Sequence, residues 1–328
     1  MNSENLTGKC DFGDLMHLAN ELHECMICPH NCRADRFSRK LGWCLTDASF
    51  NVSSVVVHRG EEPVIGGKKG ICNVFFSHCN LQCVFCQNYH ISCNSNKIEN
   101  TGQSLHSVIG MITSILDSGI DALGFVSPSH VIPQMKIIIQ ALQRMNYHPT
   151  IIYNSGGYDK VEELLKLENM IDVYLPDFKY MDPVLAKSFS QAGDYPFVAG
   201  KAISEMYRQK GITLVCNEEG RAVFGLVIRH LVLPGHEDNS INVLRFIANN
   251  LSPDIHISLM SQYYPAGQIG NNSKLNRTIT EDEYQKVLEE MNHLGFSKGW
   301  IQELNSSDNY RPDFHKSHPF ENDCSSNL

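Results

Sequence analysis

Three cysteines, Cys79, Cys83 and Cys86, stand within eight residues at C-x3-C-x2-C spacing. Thiolates are soft ligands that select iron–sulfur or zinc over hard cations. Three of them can wrap one face of a cubane [4Fe–4S] cluster, which ordinarily takes four protein thiolates. The absent fourth leaves one iron open to a substrate or cofactor. That separates a catalytic cluster from one that only carries electrons. A structural zinc knuckle, or three unrelated buried cysteines, is the bland alternative. The run Asn73-Val74-Phe75-Phe76 just before them reads as a buried strand. The cysteines should therefore lie on the loop after a strand, where α/β folds keep their chemistry.

A second group precedes the first. Cys25, Cys28, Cys32 and Cys44 follow C-x2-C-x3-C-x11-C spacing, with Pro29 and Gly42 to turn the chain. Four thiolates make a closed tetrahedral site, as in structural zinc, or a second cluster. Spacing alone does not separate the two, and a set of reduced, buried thiols is the third reading. The twelve cysteines of the chain fit metal ligation in a reducing compartment better than disulfides. The first residues lack the basic and apolar regions of a signal peptide. No apolar stretch reaches the roughly 18 to 20 residues that span a bilayer. A cytoplasmic protein with no membrane partner is expected. A net charge of −9 and the absence of any Lys/Arg-rich run argue against a nucleic-acid partner.

The elements that must position these groups alternate. The chain has 328 residues, 42% hydrophobic and 19% charged, enough for one large α/β domain with a small appendage. A short amphipathic helix is expected over Leu15 to Leu22, and a hairpin region over 50–70. After the cysteine loop, strands are expected at 122–126, 151–154, 171–175, 212–215, 223–233, 255–260 and 298–304. Helices separate them at 105–116, 131–144, 160–167, 183–191, 198–209, 240–249 and from Thr280 onward, where Thr280-Glu281-Asp282-Glu283 is a capping box. About six strand–helix units predict a parallel sheet that closes part of a barrel, a TIM-like (β/α)6 arrangement. The division is a cysteine-rich extension with a hairpin over 1–70, the partial barrel over 71–304, and a polar tail over 305–328 that wraps the surface.

With Phe85 just before its third cysteine, the Cys79–Cys86 spacing resembles the radical S-adenosylmethionine enzymes. That resemblance implies a radical SAM partial barrel. It implies a [4Fe–4S] cluster on Cys79, Cys83 and Cys86, whose open iron is chelated by S-adenosylmethionine, with Phe85 packed near the adenine. The strand ends extend the likeness: Ser127 to His130, Tyr153 to Tyr158, Asp177 to Lys179, Arg229 to Gly235 and Met260 to Pro265. Together they resemble the activating enzymes of glycyl-radical enzymes, the pyruvate formate-lyase-activating type, in the branch with an N-terminal four-cysteine segment and a Gly60-Glu61-Glu62-Pro63 run.

By that resemblance, Lys179 and Arg229 contact the carboxylate and ribose side of S-adenosylmethionine, and Asp177 with Asn154 marks a monovalent cation site. Where the family has Gly-Gly-Glu this chain has Ser127 and Ser129, which would take the ammonium hydrogen bond. Tyr153 stands in place of a family aspartate. Gln262 and Tyr263 stand where a histidine meets the substrate peptide. Arg229 lies within an apolar strand. It should therefore face the barrel lumen and meet an anion there, with Val227 and Leu231 on the same face.

The expected function is reductive cleavage of S-adenosylmethionine to a 5′-deoxyadenosyl radical, which takes hydrogen from a substrate. A glycine of a protein is the nominal target, and a small molecule or another peptide the alternative. An electron donor such as flavodoxin or ferredoxin is implied. The rival class is a non-catalytic iron–sulfur or zinc module in which both cysteine groups are closed. A carrier of that kind needs no buried anion receptor such as Lys179 with Arg229.

Overall fold

The computed structural model describes residues 11–96, 102–270, 274–304, 306, 311–316 and 319–320. A twelve-residue 3₁₀ helix, Gly13–Glu24, lays Leu15, Ala19 and Leu22 on the core. It stands where the sequence suggests an α-helix over Leu15 to Leu22. Then β1 (Val52–His58) pairs antiparallel with β2 (Ile71–Phe76), with a single helical turn, α1 (Pro63–Gly66), between them. All six residues of β2 are buried. A strand covered on both faces is the reason its sequence is apolar but for Asn73 rather than alternating.

From β2 onward the sheet is parallel. The order is β1-β2-β3-β4-β5-β7-β8-β9, where β3 is Ala122–Val126, β4 Thr150–Ser155, β5 Val173–Pro176, β7 Ala222–Leu231, β8 His256–Met260 and β9 Gly299–Ile301. Between them run α3 (Leu105–Leu116), α4 (Ile132–Arg144), α5 (Val161–Lys166), α6 (Pro183–Ser190), α7 (Tyr195–Lys210), α8 (Glu237–Asn250) and α9 (Glu281–His293), after a short α2 (Tyr89–Ser92) in the cysteine loop. Six strand–helix units and a closing strand result, with β1 at one edge and β9 at the other. This is a partial barrel.

Local signals account for the boundaries. The Ser104 side chain accepts from Ser107 N and starts α3, whose buried face is Leu105, Val108, Ile109, Ile112 and Leu116. The capping box at Thr280 and Glu283 is formed in both directions. A cap of this kind is worth about 1 kcal/mol. The stretch 212–215 departs from expectation. Only Val215–Cys216, termed β6, is extended, and it pairs antiparallel with β7, off the main sheet. Both residues are exposed, so no burial drives them into the barrel. Among the described residues no helix is long and apolar enough to cross a membrane. Most of the 305–328 tail lies outside the described residues. Of those described, Phe314 and Phe320 pack against Phe75, with ring centroids 5.2 and 5.6 Å away.

Candidate active site and a second thiol cluster

The loop after β2 carries Cys79, Cys83 and Cys86 into the wall of a cavity of about 380 Å3, shared with the C-terminal ends of the parallel strands. That volume suits a small-molecule cofactor. Main-chain bonds fix the loop: Val84 N to Phe189 O at 2.8 Å and Gln268 N to Val84 O at 2.7 Å. Gly267, at φ +71, is required beside it, because a Cβ there would stand 2.7 Å from the Val84 carbonyl.

Each sulfur has a donor. Leu81 N reaches Cys79 Sγ at 3.4 Å, Ser190 Oγ reaches Cys83 Sγ at 3.0 Å, and Ser92 Oγ reaches Cys86 Sγ at 3.1 Å. Hydrogen bonds to sulfur tune a metal-bound thiolate. Without a metal, burial pushes the Cys86 thiol up to about 11, and a bound metal deprotonates such a thiol outright. Among the described residues, no three of these sulfurs lie within 4.8 Å of one another. That spread fits a multi-iron cluster, in which each thiolate takes a different iron, and not a single ion. The residues therefore fit a [4Fe–4S] group with one open position.

Opposite the thiols is a buried ion network. Asp177 Oδ1 accepts from Arg229 Nε at 2.8 Å, and Asp177 Oδ2 from Lys179 Nζ at 2.5 Å. Arg229 Nη2 donates to Asn154 Oδ1 at 2.7 Å, and Nη1 stands 3.4 Å from Glu61 and 4.0 Å from Glu62. Glu61 also accepts from Asn73 Nδ2 at 2.9 Å and pairs with His58 Nδ1 at 3.1 Å. Burial pushes the Glu61 carboxyl up, but His58 and the Arg229 guanidinium outweigh it and hold it down to about 2. Burial wins at Glu62, whose carboxyl is raised in spite of Arg229. One oxygen of Glu62 is buried with no hydrogen-bond partner among the described residues.

The sequence-derived site gathers unevenly. Phe85, Ser127, Asn154, Asp177, Lys179, Arg229 and Gln262 line the one cavity with the three cysteines. Ser127 sits at φ 52, a left-handed conformation uncommon for serine and typical of backbone held by a site. Two residues do not join. Ser129 is buried beyond the Ser127–Pro128 turn, where its hydroxyl bonds Asp159. Tyr263 is also buried, gives its hydroxyl to Leu275 O at 2.7 Å, and backs Phe85 edge-on at 5.9 Å. Arg229 faces the lumen as alternation requires, and there it pairs with this chain's own Asp177 and Glu61. Sequence reasoning missed Glu61, Glu62, Ser92 and Ser190 as cavity or sulfur contacts. Adjacent acids before Pro63, flanked by apolar strands, were the available signal for the first two. Ser190 had none.

The second thiol group lies on the N-terminal side. Cys25, Cys28 and Cys44 are buried and Cys32 is exposed. All four line a small void together with Arg36, Gly42 and His130. A Cβ on Gly42 would stand 2.7 Å from Cys32 Cβ. His30 stacks on Trp43 at 4.6 Å. The His30 ring Nε2 lies 2.7 Å from the Asn80 carbonyl, to which Trp43 Nε1 donates at 3.1 Å. Asn80 belongs to the other cysteine loop, so the two loops are fastened at one carbonyl. The described cysteines are all free thiols.

No protein-family model matches the chain. An uncharacterized protein of Methanocaldococcus jannaschii is 27% identical over 278 residues, which is 82% of this chain and 75% of that one. Among solved structures, HydG, a maturase of the [FeFe]-hydrogenase, superposes with a TM-score of 0.51 at 12% identity, over 94% of this chain and 69% of that one. Streptococcus suis SuiB bound to S-adenosylmethionine matches at 0.43 and 12%, over 69% of this chain. The chain spans about half of SuiB, 48% of its length. A domain of pyruvate-formate lyase-activating enzyme from Bacteroides vulgatus matches at 0.37 and 17%, over 52% of this chain and 93% of that domain. Of these neighbours, SuiB is the one described as bound to S-adenosylmethionine. The likeness to HydG is one of fold: a mostly parallel sheet alternating with helices that closes part of a barrel.

Proposed function

We propose that the chain is a radical S-adenosylmethionine enzyme. The observation that carries this reading is the meeting of three thiols and the Asp177–Lys179–Arg229–Asn154 network in one cavity at the C-terminal strand ends. A closed electron carrier has no use for the second half of that arrangement. Cys79, Cys83 and Cys86 would hold the [4Fe–4S] cluster, and Phe85, Ser127, Asn154, Lys179 and Arg229 would border S-adenosylmethionine. Bound there, cluster and cofactor would supply one-electron reductive cleavage of the sulfonium and radical hydrogen abstraction.

The chain's own residues orient and line the site. Asp177 fixes the Lys179 ammonium and the Arg229 guanidinium in place, so neither reorganises when an anionic group arrives. Phe85, held by Tyr263 from behind, presents a rigid ring. Phe75, Phe320 and Pro312 supply apolar wall to the cavity. No side chain need act as a proton acceptor.

Activation of a glycyl-radical protein is the finer reading carried by the sequence resemblance. The tail favours a second one: Phe320 and Pro312 help line the cavity, which suits a small molecule or short peptide placed near Gln262. A flavodoxin or ferredoxin is the proposed electron donor. The test is anaerobic reconstitution with iron and sulfide, then an assay for 5′-deoxyadenosine with dithionite. Formation that depends on S-adenosylmethionine supports the reading, and its absence in cluster-loaded protein overturns it. Adding a glycyl-radical protein or cell-extract small molecules in separate arms then identifies which substrate class raises the rate.

A further inference from the structure

We propose that Cys25, Cys28, Cys32 and Cys44 close around a second iron–sulfur cluster of the four-iron type, with Arg36 as its buried counter-charge.

The first observation is Arg36. It is 1% exposed. Its Nη2 and Nε donate to Asp47 O at 2.8 and 3.2 Å, and its Nη1 donates to His130 O at 2.7 Å and faces Cys25 Sγ at 3.9 Å. Among the described residues no carboxylate lies within 4.0 Å of it. Carbonyl oxygens satisfy its hydrogen bonds but leave a whole positive charge in the interior, which is costly without an anion. The Cys25 sulfur faces it at 3.9 Å, and the other three thiols line the same void. A metal centre held by four thiolates is net negative and supplies the missing charge. The contrast with Arg229 is direct, because that guanidinium has its own carboxylates.

His130 is the second. It is fully buried and lines the same void. Its Nε2 lies 3.0 Å from Ser77 O, which can only accept, so the proton belongs on Nε2 and Nδ1 presents a lone pair. That Nδ1 has no partner among the described residues.

The spread of the sulfurs chooses between metals. On one tetrahedral zinc, with Zn–S bonds of about 2.3 Å, neighbouring sulfurs stand roughly 3.8 Å apart. Among the described residues no three of these four sulfurs lie within 4.8 Å of one another. Four thiolates that each take a different iron of a cubane must stand wider apart than four on a single ion. The N–H of Trp43 on Cys32 Sγ at 3.2 Å and the Thr46 hydroxyl at 2.9 Å from Cys44 Sγ are the sulfur contacts such a cluster uses. With all four irons ligated, this centre is closed.

The test uses the full chain with Cys79, Cys83 and Cys86 all changed to Ala, reconstituted anaerobically with iron and sulfide in the presence of zinc. The expected result is about four irons and four sulfides per chain, with no zinc. About one zinc and no iron, or neither metal, overturns the proposal. If that variant does not fold, the unaltered chain should hold about eight irons, falling to about four when Cys25, Cys28, Cys32 and Cys44 become Ser. About four in both overturns it. Because the first measurement is made without the open-site thiols, its failure is distinct from failure of the reading above. Arg36→Met should still load, with a lower midpoint potential in a spectroscopic titration. An unchanged potential would remove Arg36 from the account.

Discussion

The two thiol groups use the same ligand and differ in what surrounds it. Cys79, Cys83 and Cys86 open onto about 380 Å3 of cavity walled by strand ends and by paired charges. The N-terminal four enclose a small void walled by their own loop, one cation and one histidine. The thiol count, three against four, already suggests one open and one closed site. The neighbourhood separates them: one has space and an ion network for a further ligand, and the other has neither.

The largest effect should come from removing a thiol on each side. Cys83→Ala should bring 5′-deoxyadenosine formation to background, because two thiolates do not hold a cubane. Cys28→Ser should cost the second metal while S-adenosylmethionine still perturbs the open cluster. If Cys28→Ser abolishes that perturbation and Cys83→Ala does not, the roles are reversed.

The next contrast sets one buried arginine against the other. Arg229→Leu strands Asp177 and Glu61, and breaking a buried pair on one side costs about 3–5 kcal/mol. A melting temperature well below the parent is expected, with S-adenosylmethionine affinity lost in whatever folds. Arg229→Lys should recover part of both. A fully stable Arg229→Leu protein would contradict the network as described.

Acid should act on the open site through Glu61. Its folded carboxyl is held at about 2 against an ordinary 4.5. The stability it contributes is therefore complete above about pH 4.5 and is lost as pH falls toward about 2. Melting temperatures below about pH 4.5 should fall more steeply in the parent than in Glu61→Gln. Parallel slopes would remove Glu61 as an ionised member of the network.

The smallest effect sharpens the comparison at the sulfurs. Ser190→Ala removes the hydroxyl on Cys83 and should slow cofactor cleavage by up to about tenfold, with the cluster intact. Thr46→Val beside Cys44 should leave that rate nearly unchanged. Equal losses in the two variants would mean that the hydroxyls matter to folding and not to the open cluster.

Much of this was legible in the sequence where burial and period act together. The apolar run before Cys79 is β2, the period-3.6 face after Ser104 is α3, and the Arg229 strand alternates as its register demands. The site was legible where a residue stands at a strand end, as Asp177, Lys179 and Gln262 do. Legibility failed where a turn redirects the chain. Ser129 lies past a left-handed Ser127 and points into the core, and Tyr263 turns away from the cavity that Gln262 lines. It failed also where the partner comes from far along the chain. Nothing local to Arg229 announces Glu61, 168 residues earlier, as its counter-ion, and nothing near Ser190 announces a sulfur.

The central claim is an open iron that binds S-adenosylmethionine. The most direct measurement is electron–nuclear double resonance on the reduced cluster of the chain with Cys25, Cys28, Cys32 and Cys44 changed to Ser, using cofactor isotopically labelled at its amino nitrogen. The account predicts a hyperfine coupling from that nitrogen, lost in Cys83→Ala. A reduced cluster whose spectrum is the same with and without labelled cofactor would contradict it.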